Sequence, residues 1–354
     1  MPRTARAGRL QDVYPAGGRR APGWAIVDDH RAEGLARRLD LDTVAAGLAA
    51  GGAAGLLFAQ QPDADGFLPK RLLGGPPLPL PALTLRGELL PALDGRLVSA
   101  TVPLRRGTAA GANVLGRLAS QPTGPTPAPA PLLLSAHYDG VGDDPGTRLP
   151  GAGDNASGVA VVLEAARLLS QDLARDVAGP PARARPLVVA LCDAEEVGAL
   201  GSAAHAAALE HQGIQPLTIN LDMAGRRHEV AAVEASSTAG RLVDALDQAG
   251  RWLGIALAGA PVASDNHRYA TCGPSVGLGF GTAGYHSPAD TADRVEDAAL
   301  LAAARLLLAT AWQLTDRASA TTPTSTKRGT PQRSGAHDGR PCPRIRPRRS
   351  RSWR

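Results

Sequence analysis

Between Pro131 and Ala318, short apolar runs alternate with segments of helical spacing, and most of the runs end in a carboxylate or an imidazole. This alternation constrains the fold more than any other feature. Apolar runs too short for helices, each followed by an amphipathic stretch, predict an α/β domain: a mixed, mostly parallel sheet with helices on both faces. The spacing predicts strands over 132–136, 187–192, 217–221, 229–235 and 275–280. It predicts helices over 156–169, with Asn155 and Ser157 available to cap it, and over 200–210. Two more are expected over 240–252, with Leu242, Leu246 and Trp252 on one side, and over 298–314. Ligands of open α/β sheets bind outside the carboxyl ends of the strands, so the residues that follow each strand are the ones to read.

His137 and Asp139 follow the first run, and Asp193, Glu195 and Glu196 follow the second. Asp222 follows the third, Tyr285 and His286 follow the last, and Asp154 lies in the loop that opens the first helix. A lone His or Asp after a strand is more often a cap than a ligand, and an isolated Glu pair is usually solvated. The residues carry more weight as a set. The set holds imidazole and carboxylate but no thiolate, which suits zinc in a catalytic rather than a structural site. The donors are too many for one open tetrahedral ion. Five suffice for two ions if one carboxylate bridges them, an arrangement that activates water and clamps an oxyanion.

In chain order, "SAHYDG", "GAGDNASG", "LCDAEEVGALGS", "INLDMAG" and "GYHSPADT" resemble the five motifs of the co-catalytic di-zinc aminopeptidases. This is the family of bacterial leucyl aminopeptidases and of aminopeptidase Y. The resemblance covers about residues 130–315 and implies a zinc-exopeptidase fold with two Zn2+ per chain. It implies that Asp154 bridges the ions, that His137 and Asp222 complete one site, and that Glu196 and His286 complete the other. It implies Glu195 as general base, Asp139 as the group that orients His137, and Tyr285 as a helper in polarising the substrate carbonyl. The implied substrate is a peptide with a free N-terminus. Three alternatives share the fold: a single-zinc glutaminyl cyclase, a carboxypeptidase and a non-catalytic binding domain. Cyclases of this type lack the first His, so His137 in "AHYD" favours the peptidase.

Four regions are expected: a basic segment 1–20, a small β-rich unit 21–105, the catalytic domain 106–318 and a basic tail 319–354. Residues 21–105 resemble the protease-associated domain often inserted in this family, with "GFLPKRLLGGPPLPLPALTL" the best match. Members with that insert usually carry catalytic helices before it, and here the chain starts almost at the insert. The Pro-rich "QPTGPTPAPAP" reads as an extended connection between two strands. The net charge of +5 misleads, because the tail contributes ten Lys/Arg against one Asp and the first twenty residues five Arg against one Asp. The remaining body is acidic, which argues against nucleic-acid binding. The tail has no apolar period and is expected to be solvated, without a partner.

No run of about 18 uncharged apolar residues predicts a membrane span. Residues 1–20 show no apolar signal core, so the default expectation is the cytoplasm, although members of the family are often secreted. Cys192, Cys272 and Cys342 are too few for a disulfide framework. A role at the substrate is weighed for Asp265 and His267 in "SDNH", against a structural one. His205, His211 and His228 are given none.

Overall fold

The computed structural model describes residues 3–4, 8–12, 23–27, 45–70, 72, 78–93, 96–102, 108–118, 129–144, 146–175 and 185–315. The basic tail, Cys342 and most of the Pro-rich connection lie outside these residues. The first sheet contains β1 (Gly8–Asp12), β2 (Gly23–Val27), β3 (Gly55–Gln60), β4 (Ala82–Arg86) and β5 (Leu97–Val98). Its order is β4-β3-β2-β1-β5, with β1 to β4 parallel and β5 antiparallel to β1. Strand β1 comes from the stretch read as a basic segment and is part of this sheet. Side chains alternate across a strand, so Trp24 and Leu57 enter one small core and Ala25 and Leu56 the other. A Cβ on Gly55 would lie 2.3 Å from the Trp24 ring, so glycine lets the indole cross β3.

The second sheet carries the site. Its strands are β6 (Val114–Leu118), β7 (Leu132–His137), β8 (Leu187–Cys192), β9 (Leu217–Leu221), β10 (Val230–Ala235), β11 (Ala256–Gly259) and β12 (Ser275–Gly279). They stand in the order β11-β10-β12-β9-β7-β8-β6. The central four, β12, β9, β7 and β8, are mutually parallel. Strand β6 is antiparallel to β8 at one edge, and β10 is antiparallel to β12 near the other. Continuous apolar runs such as "LLLSA" and "LTINL" fit strands buried on both faces. The edge strand β6 is mostly exposed and lacks that signal.

Helices α1 (Ser157–Arg175), α3 (Gly240–Leu253) and α4 (Asp297–Thr315) cover one face, and α2 (Leu200–His211) covers the other. The main core joins Leu134, Ile219 and Leu278 of the sheet to Val162, Leu246 and Leu307 of the helices. The opposite core joins Leu133, Ala190 and Cys192 to Ala206, Tyr269 and Cys272. Helices thus lie on both faces, as the alternation predicted. Helix α4 is long and apolar enough to cross a membrane by length and composition. Here Ala303, Leu306, Leu307 and Ala311 are buried in the main core. The reading of Trp252 as part of the buried side of α3 is corrected. Leu242 and Leu246 are buried, but Trp252 is 64% exposed. Ten residues at about 100° each bring it roughly 80° round the helix from Leu242.

Candidate active site

Parallel register places the site residues at one edge. His137, the last residue of β7, lies beside Cys192, the last of β8, and Leu221 of β9 lies beside Leu278 of β12. The loops leaving β8, β9 and β12 carry Glu195 and Glu196, Asp222, and His286. Asp154 comes from the turn that opens α1 and is 5% exposed.

Its two carboxylate oxygens face different ways. Asp154 Oδ1 lies 3.2 Å from His137 Nε2, which is also 3.5 Å from Asp222 Oδ1. Asp154 Oδ2 lies 3.1 Å from His286 Nε2, which is 3.0 Å from Glu196 Oε2. Two trios therefore share one carboxylate: His137, Asp154 and Asp222, and Asp154, Glu196 and His286. In each trio the ligand atoms lie within 4.8 Å of one another. Glu196 Oε1 is buried without a hydrogen-bond partner, and the buried Asp222 Oδ1 and His286 Nε2 face only the ion-pair partners just named. Buried carboxylates in such number need a cation or a proton. His nitrogen and carboxylate oxygen are the donors of catalytic zinc, so the residues fit a pair of zinc ions.

The electrostatics follow from that crowding. Burial opposes protonation of His137 and His286, but neighbouring carboxylates overrule it. Asp139, Asp154 and Asp222 raise His137 well above its ordinary value, and Asp154 and Glu196 bring His286 to about 10. Burial likewise disfavours the Asp154 carboxylate, yet the two imidazoles hold it down to about 2. Glu195 makes none of the close pairs of the two trios. Burial pushes its carboxyl up to about 8, opposed by His137 and assisted by Asp222, Asp265 and Glu196. Glu196 is raised as well, by burial first.

The supporting contacts fix the orientation of these groups. His137 Nδ1 lies 3.3 Å from the Asp139 carbonyl and 3.4 Å from its carboxylate, so Nε2 points to the cluster. The Asp139 carboxylate also accepts the main-chain N–H groups of Glu195 (3.0 Å) and Glu196 (3.2 Å). One residue thereby aims three others. Asn155 Oδ1 accepts from Gly158 at the start of α1, as a cap does, and also from Met223 N–H beside Asp222. Ser157 Oγ donates back to the Gly153 carbonyl instead of capping.

Sequence reasoning missed two supports. Asp290, 2% exposed, accepts from Gly153 N–H (2.6 Å) and Asp154 N–H (2.9 Å). It lies in "SPADT", whose only sequence signal was proximity to His286. Lys70 comes from the other sheet's side of the chain. Its carbonyl accepts His286 Nδ1–H at 2.8 Å, and its N–H donates to the His286 carbonyl at 2.8 Å.

The other candidates fall as follows. Tyr285 is 46% exposed and stacks on His286, with ring centroids 3.7 Å apart. Desolvation and then the neighbouring carboxylates raise its phenol pKa. Asp193 is turned away, its carboxylate accepting from Ala112 N–H. Asp265 is fully buried and accepts from Ser202 Oγ, and His267 pairs at 2.8 Å with Glu234. His205, given no role above, is held against the core of the far face: its Nδ1 lies 2.9 Å from the Tyr269 hydroxyl. Cys192 and Cys272 are buried and free.

The fold resembles solved structures at low sequence identity. A zinc aminopeptidase from Bacillus subtilis matches with a TM-score of 0.64 and 21% identity over 84% of this chain and 71% of that one. An aminopeptidase from an Aneurinibacillus species matches with a TM-score of 0.62 and 20% identity, over 89% and 76% of the two chains. A peptidase M28 precursor from Shewanella amazonensis gives 0.60 and 20%, over 92% and 76%. The model of peptidase family M28 matches residues 113–311, more than half of the sequence and the whole of the sheet that bears the cluster. The chain belongs to peptidase family M28.

Proposed function

We propose that this protein is a di-zinc aminopeptidase that removes N-terminal residues from peptides, with Glu195 as its general base. The observation that carries the reading is Asp154, whose two oxygens face two separate imidazole and carboxylate sets. Family membership and the zinc aminopeptidases among the similar structures support it. His137 and Asp222 would hold one ion, Glu196 and His286 the other, and Asp154 both. Zinc bound there supplies a Lewis acid for the peptide carbonyl and lowers the pKa of water.

The chain's own residues do the rest. Glu195 takes a proton from the attacking water and returns it to the leaving amine. Burial and neighbouring carboxylates favour the protonated form of its carboxyl, and bound cations would favour the carboxylate that accepts the proton. Asp139 fixes both the ring of His137 and the main chain of Glu195, so ligand and base keep one geometry. Tyr285, beside His286, donates a hydrogen bond from its hydroxyl to the carbonyl oxygen as charge develops there. The small β sheet is assigned the role of a protease-associated-like unit that shapes the approach to the cluster.

Aminoacyl amides with a free or an acetylated amino group test the reading. Hydrolysis of the free form only, lost in Glu195→Gln with zinc retained, is expected. Equal hydrolysis of both forms, or release from the carboxyl end, refutes the aminopeptidase assignment.

A further inference from the structure

His286 occupies an uncomfortable position. Its φ is +52°, a left-handed conformation that costs a non-glycine residue of order 1 kcal/mol or more and persists only where surroundings enforce it. The enforcing contacts come from Lys70, 216 residues away in sequence. Lys70 N–H donates to the His286 carbonyl, and His286 Nδ1–H donates to the Lys70 carbonyl, both at 2.8 Å. Main chain and ring are thus held by one residue, and the ring is left with Nε2 facing Asp154 and Glu196.

Lys70 is itself anchored through its side chain. Its ammonium donates to the Gly142 carbonyl at 2.9 Å and pairs with Asp144 at 2.7 Å. Those residues belong to the loop between His137 and Asp154. Upstream, the same segment is closed by Asp63, whose carboxylate accepts from Asp65 and Phe67 N–H, and is tied by Asp65 to Arg294 at 2.6 Å. The segment leaves β3 of the small sheet directly.

We infer that Lys70 is a positioning residue for the His286 and Glu196 half of the cluster, through which the small β sheet sets that half's metal affinity. This inference rests on the proposed metal site. A ring nitrogen held by a carbonyl keeps the other nitrogen's lone pair aimed at the ion, and loss of such support lowers metal affinity about 10–100-fold. Removing the ammonium unties residue 70 from Gly142 and Asp144, so its main-chain clasp on His286 is held less firmly.

Stepwise zinc binding to the full chain, measured by competition with a fluorescent chelator, tests this. Lys70→Met is expected to weaken one of two binding steps by roughly 10-fold or more and to leave the other unchanged. Lys70→Arg, which keeps a cation able to reach both acceptors, is expected to restore most of the loss. Glu88→Gln, an exposed change in the small-sheet unit, is expected to alter neither step. Should Lys70→Met fail to fold by circular dichroism, Asp144→Ala removes the anchor from an exposed position and is expected to weaken the same step. Unchanged constants in the folded variants, or equal weakening of both steps, overturn the positioning role. Wild-type protein that takes up no zinc overturns the metal reading beneath it.

Discussion

Asp290 offers a quantitative test of how the cluster is built. Asp290→Asn keeps the side-chain shape but replaces one acceptor oxygen by an NH2 group. The carboxylate accepts two buried main-chain N–H groups, from Gly153 and Asp154, through different oxygens. In the variant one of them faces another donor. A net hydrogen bond to a charged group contributes about 1.5–3 kcal/mol, and a bond reduced from charged to neutral loses about 0.5–1 kcal/mol more; relief of the carboxylate's burial and of its repulsion by Asp154 offsets part of this, so the sum is at most about 2–4 kcal/mol. For a domain of this size that corresponds to roughly 5–15 °C in melting temperature. Because the freed N–H belongs to the turn that presents Asp154, zinc affinity should fall about 10-fold or more at both steps. Thermal unfolding of metal-free protein and chelator competition read the two effects separately. A variant that melts within 1 °C or so of wild type and binds zinc normally would refute the reasoning, since both buried N–H groups donate to that carboxylate.

Glu195→Gln should keep zinc and lose at least the roughly 10²–10⁴-fold supplied by a general base; near-normal turnover removes Glu195 from that role. Glu196→Gln should instead weaken one zinc step, and unchanged zinc content would count against its place in the cluster. Although burial opposes it, N–H groups of Ala263 and Val262, with His267 and Asn266, hold the Glu234 carboxyl down to about 2. Its pKa is depressed in the folded protein, so its stabilisation is present above about 4.5 and is lost as pH falls toward 2. Partial exposure reduces the gain to roughly 1–2 kcal/mol, so Glu234→Gln should lower stability at pH 7 and the deficit should shrink below pH 4.5 in urea unfolding. A deficit that does not change with pH would contradict this. Gly158→Ala places a Cβ 2.2 Å from Asn155 Oδ1 and 2.9 Å from the Leu221 carbonyl. It should cost about 1–3 kcal/mol through overpacking at the turn, and a neutral result by calorimetry would show that this turn can relax.

The central strands were legible because each is an apolar run buried on both faces, and the residues after them were legible because parallel register carries strand ends to one edge. Strand β6 was harder to read: it is short, exposed and at the edge, so burial wrote no pattern into it. Asp290 and Lys70 were invisible for another reason. Their partners lie 136 to 216 residues away, and nothing in "SPADT" or "LPKR" records a main-chain acceptor or a carbonyl held by a distant ring. Trp252 was misread because a helical face is narrow, and a bulky residue just off it remains exposed.

The most direct measurement is zinc per chain by native mass spectrometry on protein purified without chelator, with Asp154→Asn alongside. The proposal predicts two ions in the wild type and loss of at least one in the variant, because a single carboxylate serves both sets. One ion in the wild type, or two retained in Asp154→Asn, would contradict a cluster built on that shared carboxylate.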